Sequence, residues 1–165
     1  MSVCGYLYTP SHAPLPEQEL AWLKARGADP ILHDWGSRTD LEELFRRITA
    51  GLVQEVLLLR LSDLGDRVDE IHERLLQIQH CGIRLSLVTE SGLQTPTEAA
   101  DWIPLLAEIP HQLQSRRLCC SQAQNRLAGK PPPGPAPFGY RREGERYVLD
   151  RRQASIIQDF FQHFL

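Results

Sequence analysis

The run Val56-Leu57-Leu58-Leu59, resuming at Leu61 after Arg60, most constrains what this chain can fold into. Successive side chains of a strand point to opposite faces, so an unbroken apolar run suits a parallel strand buried on both sides. Strand-like and helix-like segments alternate around it. Residues 3–8 read as a first strand. Pro14-Leu15-Pro16-Glu17 opens a helix bearing Leu20, Trp22 and Leu23 that stops near Gly27, and residues 30–34 form a short second strand. A helix over 39–50 carries Leu41, Leu44, Phe45 and Ile48 at helical spacing and ends at Gly51. After the apolar run, a third helix presents Val68, Ile71, Leu75 and Ile78 on one face and ends at Cys81-Gly82, and residues 83–88 form a fourth strand. Strands separated by helices of this length predict right-handed crossovers. The expected fold class is α/β, with a mainly parallel four-stranded sheet covered by helices on both faces and followed by a helical tail.

Beyond the sheet the pattern changes. Residues 91–97 read as a polar loop and 96–108 as a helix, which Pro110 interrupts before a further helical stretch over 111–127. Proline costs roughly 3 kcal/mol inside a helix, so a kink or a fresh start is expected at Pro110. Gly-Lys-Pro-Pro-Pro-Gly-Pro-Ala-Pro at 129–137 has the polyproline character of a stiff linker, with a proline-rich peptide ligand as the alternative. The remaining tail ends in an amphipathic helix over 151–165 whose stripe is Ile156, Ile157, Phe160, Phe161 and Phe164. Such a stripe is a liability when exposed, so it is expected to dock on the body, on a second copy or on a partner. The domain division is therefore 1–109, a helix at 110–128, a linker at 129–137 and a tail unit at 138–165.

Two segments carry a resemblance. Gly5-Tyr6-Leu7-Tyr8-Thr9-Pro10-Ser11 and Leu61-Ser62-Asp63-Leu64-Gly65-Asp66 resemble the active-site strands of the serine recombinases (resolvase/invertase family), where the patterns are G-Y-x-R-V-S and K-L-D-R-L-G-R. Arg38-Thr39-Asp40-Leu41 is similar to the family's S-x-x-R-x-x-L region. Pro137-Phe138-Gly139-Tyr140-Arg141, with Tyr147-Val148-Leu149-Asp150 and the helix after it, resembles the opening of the domain that follows the catalytic domain in the large serine recombinases. The resemblance implies a resolvase-like N-terminal domain, then one long helix that forms a dimer interface and runs out along DNA, then a truncated start of the next domain.

The chemistry implied by the family does not carry over. A serine hydroxyl attacks a DNA phosphodiester, and several guanidiniums neutralise the charge that gathers on the phosphoryl oxygens. Here the catalytic arginine falls on Tyr8 and the nucleophile on Pro10; the aspartate falls on Ser62 and two arginines fall on Asp63 and Asp66, while Arg38 is retained. Losing one charge-stabilising donor typically costs about 100 to 1,000-fold in rate, so these substitutions predict no strand exchange. The expected function is non-enzymatic: DNA binding or regulation in a recombination setting. The alternatives are a protein interaction module that no longer binds DNA, and a divergent recombinase that uses Ser11 or Ser37 with Arg38. Read without the resemblance, Leu61 to Asp66 is a strand-to-helix turn with Asp66 as N-cap and Asp69 completing a capping box.

Charge is divided unequally, with net −8 in residues 1–110 and +5 in residues 111–165. A basic tail on an acidic body suits weak, non-specific contact with phosphates, for which Arg116, Arg117, Arg126, Lys130, Arg141 and Arg142 are the candidates. The partners expected are thus DNA, a second copy, or a protein met through the 151–165 helix. No apolar run reaches the roughly 18 residues of a membrane span and no leader pattern opens the chain, so a cytoplasmic protein is expected, nucleoid-associated if it binds DNA. Cys4, Cys81, Cys119 and Cys120 lack metal-ligand spacing, as do His12, His33, His72, His80, His111 and His163. Asp63, Asp66, Asp69 and Glu70 could chelate a hard cation, but capping accounts for two of them. Neither a metal nor a cofactor is expected.

Overall fold

The apolar run becomes β3 (Glu55–Leu58), hydrogen-bonded in parallel to β1 (Val3–Thr9) on one side and to β4 (Arg84–Thr89) on the other. With β2 (Ile31–Trp35) parallel to β1, these are the four predicted strands. A fifth, β5 (Gly92–Gln94), pairs antiparallel with β4, which gives the order β2-β1-β3-β4-β5. It occupies part of the segment expected to be a polar loop. Its Leu93 and Gln94 are exposed, so it bears no burial pattern to announce it; the unpaired edge of β4 recruits it through backbone pairing, with the Thr89 hydroxyl donating to the Gly92 carbonyl at 3.1 Å. The computed structural model describes residues 2–89, 92–131 and 134–164, the last without its side chain. Ser91 of the expected loop, Pro132 and Pro133 of the expected linker, and the side chain of Phe164 lie outside the described residues.

The helices are α1 (Glu17–Ala25), α2 (Thr39–Thr49), α3 (Val68–His80), α4 (Ala99–Leu127) and α5 (Arg151–Phe164). Alternation along β1 sorts the core into two layers. Leu7 packs with Leu23 and Ala28 of the α1 region and with Leu57 and Val88. Cys4 and Tyr6 face the other way, among Leu41, Leu44 and Ile48 of α2, Ile71, Leu75 and Ile78 of α3, and Ile109 and Leu113 of α4. Gly5 lies where β1 passes under α1; a Cβ there would come within 2.9 Å of the Ala28 side chain, so only glycine lets the layers meet.

Of the two outcomes expected at Pro110, the fresh start is corrected: α4 runs unbroken through both Pro104 and Pro110. Pro110 sits between Ile109 and Leu113, the two residues of α4 that are buried, and their burial offsets the local loss. The chain forms two compact units, Met1–Arg117 and Leu118–Leu165. In the second unit, β6 (Tyr140–Glu143) and β7 (Arg146–Leu149) form an antiparallel hairpin, and Gly139 at φ +97° approaches Ile157 of α5. Ile156, Phe160 and Phe161 on α5 remain exposed.

Candidate functional site

In an open α/β sheet, ligands bind beyond the carboxyl ends of the strands where the strand order reverses. Here that point lies between β1 and β3, because β1 connects outward to β2 on one side while β3 leads on to β4. Four pieces of chain deliver side chains to this end: the close of β1 (Tyr8), the entry to α2 (Arg38), the tight 3-10 turn Leu61–Leu64 after β3 with Gly65 and Asp66 following, and, some fifty residues on, Arg116 of α4.

Arg38 and Arg116 meet on the ring of Tyr8. The Arg38 guanidinium carbon lies 4.0 Å and that of Arg116 5.0 Å from the ring centroid, a double cation–π arrangement. Two like charges brought this close need an anion, and Asp66 supplies it. One oxygen, Oδ1, accepts from Arg38 Nη2 at 2.7 Å and from Arg116 Nη2 at 3.0 Å. Backbone carbonyls take up further donors. Arg38 Nη1 donates to the Asp63 carbonyl, Arg116 donates to Ser62 at 2.9 Å and Gly65 at 2.6 Å, and Arg117 donates to Asp66 at 3.0 Å. The Leu61–Leu64 turn and its exit are thus held by guanidiniums from both α2 and α4.

The two acidic residues behave oppositely. Burial would raise the Asp66 carboxyl, yet the hydrogen bond from Arg38 and the charges of Arg38, Arg116 and Arg74 hold it below the usual carboxylate range. Asp63 is buried, and burial pushes its carboxyl up to about 6 despite the opposing charges of Arg60, Arg116 and Arg38. Its Oδ1 is 3.5 Å from Arg60 Nε, and its Oδ2 has no hydrogen-bond partner among the described residues. Burial and the neighbouring Arg38 charge lower Arg116; for Arg38 burial is outweighed by the hydrogen bond and charge of Asp66 and by Tyr6, and the guanidinium is raised.

The capping expected of Asp66 is replaced. Its carboxylate serves the arginines, Glu70 accepts from its backbone N–H at 3.1 Å, and Asp69 pairs with Arg67 at 2.7 Å. Pro10 follows directly on β1, and Ser11 is exposed with its Cβ against Gly36, where a Cβ would come within 2.8 Å of it. Ser37 donates to Asp34 Oδ1 at 3.3 Å. Sequence reasoning passed over Asp34. It is buried, accepts from Tyr6 Oη at 3.0 Å and from the N–H groups of Asp40 and Leu41 at 2.9 Å, and so caps α2. The signal available was an acidic residue shortly ahead of an amphipathic helix. For the pairing of Arg116 with Asp66 no local signal existed.

The expected DNA-contacting residues are distributed over both units. Arg116 is committed to the site just described, and Arg117 to the Asp66 carbonyl. In the second unit Lys130 pairs with Glu145 at 2.9 Å and Arg141 with Glu143 at 2.6 Å, Arg142 donates to the Gly144 carbonyl, and Arg126 is exposed on α4. Elsewhere on the first unit a groove of about 580 Å3 runs between α3, the start of β4, residues 95–97 and the start of α4, lined among others by Leu75, Leu76, Ile83, Trp102, Ile103 and Leu106. Among the described residues no helix is long and apolar enough to cross a membrane.

No family model matches the chain, and no curated protein does. Among solved structures it is similar to the N-terminal catalytic domain of TP901-1 integrase, at 17% identity over 72% of this chain and 98% of that one, with a TM-score of 0.49. It is also similar to a resolvase family site-specific recombinase from Streptococcus pneumoniae, at 18% identity over 78% of this chain and all of that one, with a TM-score of 0.49.

Proposed function

We propose that this chain is a serine-recombinase-like protein without strand-exchange chemistry, acting by binding, to DNA or to a partner, in a recombination setting. The observation that carries the reading is the Asp66 carboxylate seated on both guanidiniums, Arg38 and Arg116, at the carboxyl end of β1 and β3. A phosphoryl group in flight needs those charges uncommitted, and needs a nucleophile where the chain has Pro10. The divergent-enzyme alternative keeps an exposed Ser11, but Ser37 is bonded to Asp34 and Arg38, its one retained arginine, to Asp66. The interaction-module alternative is favoured by the apolar groove beside α3 and by the exposed Phe160 and Phe161 of α5.

One experiment separates the three. Supercoiled DNA incubated with the protein is run on a denaturing gel for a covalent adduct, and on a native gel over a salt series. The expected result is no adduct and no cleavage, with weak, sequence-independent retardation that falls steeply with salt. An adduct abolished by Ser11→Ala would establish the divergent enzyme. No retardation even at low salt would leave the interaction module.

A further inference from the structure

The Arg38–Tyr8–Arg116 cluster already contains an anion, and that anion belongs to the chain. Of the three charged partners the carboxylate is the solvent-facing one: the Asp66 side chain is 62% exposed, whereas Arg38 and Arg116 are 19% and 15% exposed. The carboxylate bonded to both guanidiniums is thus the part of the cluster most open to solvent. The Arg38 Nε hydrogen, moreover, has no acceptor among the described residues, so the cluster retains a buried donor that a single carboxylate oxygen does not satisfy. A tetrahedral oxyanion presents more acceptor oxygens than the lone Oδ1 and meets a forked guanidinium better than a single oxygen can.

We infer that Asp66 is a built-in occupant of this anion site, an intramolecular block that keeps Arg38 and Arg116 from binding a phosphate group supplied from outside. A carboxylate on the same loop competes at an effective concentration of at least the order of millimolar, so a free monovalent or divalent anion at lower concentration does not displace it. Removing the charge of Asp66 leaves the two cations on Tyr8 without the carboxylate that bonds to both, the Asp63 carboxyl acting on them only through space, and the site then recruits an anion. The remaining supports of the cluster are independent of the Asp66 side chain: the Asp63, Ser62 and Gly65 carbonyls hold the guanidiniums, and Glu70 holds the Asp66 N–H. The inference builds on the reading of a chemically silent site, but rests on distances that stand without it.

The test is titration calorimetry of the full chain with inorganic phosphate in low-salt chloride buffer, comparing wild type, Asp66→Asn, Asp66→Ala and the double variant Arg38→Ala/Asp66→Asn. Both single variants should bind phosphate at least tenfold more tightly than wild type, and the double variant should return to the wild-type level. Far-ultraviolet circular dichroism of each variant verifies that the fold is kept; if Asp66→Asn fails to fold, Asp66→Ala carries the comparison, and unfolding of both would overturn the block by showing Asp66 to be a structural requirement. Equal affinity in wild type and single variants, or binding that survives loss of Arg38, would also overturn it. A covalent DNA adduct would remove the silent-site reading without touching this titration, so the two failures are distinguishable.

Discussion

Asp63 holds its proton more tightly in the folded chain than in the unfolded one, because burial raises its carboxyl from the usual 3.8 to about 6. Its contribution to stability is therefore complete below about pH 4 and is lost as pH rises through about 6. A rise of that size, with the opposing arginines already counted in it, corresponds to an upper bound of roughly 3 kcal/mol. Asp63→Asn cannot ionise and should lose this slope: relative to the variant, wild type should give up about 1–3 kcal/mol between pH 4 and pH 7 in urea unfolding. A constant difference across that range would show that Asp63 ionises in the fold as freely as outside it. Asp66 has the opposite sign, since its lowered carboxyl adds stability that disappears as acid protonates it.

At the scale of elements, α4 is the one whose local preference and final state disagree. Pro104 and Pro110 both lie within its 29 residues, and each removes a backbone donor and crowds the preceding turn. Burial of Ile109 and Leu113 against the core formed by α2 and α3 keeps the helix continuous. Pro110 itself is exposed, so Pro110→Ala should restore a helix bond without disturbing a contact. The expected gain is about 1–3 kcal/mol in unfolding free energy, less the entropy that proline withholds from the unfolded chain. A variant less stable than wild type would mean that the ring of Pro110 packs favourably where it stands.

For the whole molecule, α5 sets the open question of assembly. Ile156, Phe160 and Phe161 are more than half exposed, and Phe160 and Phe161 meet edge-on with centroids 6.0 Å apart. Burying each phenylalanine is worth roughly 1.5–3 kcal/mol, so a second copy or a partner has much to gain at this face. Deleting residues 151–165 should change the oligomeric state in light scattering or the proteins recovered in pull-down, while the far-ultraviolet signal of the α/β unit persists; no change in any of the three would show α5 to be dispensable. What the sequence determined by itself was periodicity: β1 to β4, α1 to α3 and the amphipathic face of α5 follow from apolar spacing, glycine stops and proline starts, which are local quantities. Tyr8, Pro10, Ser62, Asp63 and Asp66 stand out only through the resemblance that two short segments carry, and of these the structure brings Tyr8 and Asp66 together on Arg38. Only the tertiary structure decided that α4 would run through its prolines, that β5 would be recruited by a strand edge, and that Arg116 would leave the basic tail to join Arg38 on Tyr8 and Asp66. Each of these depends on burial or charge pairing between residues far apart in the chain, whose energies exceed local preference but leave no mark on local spacing.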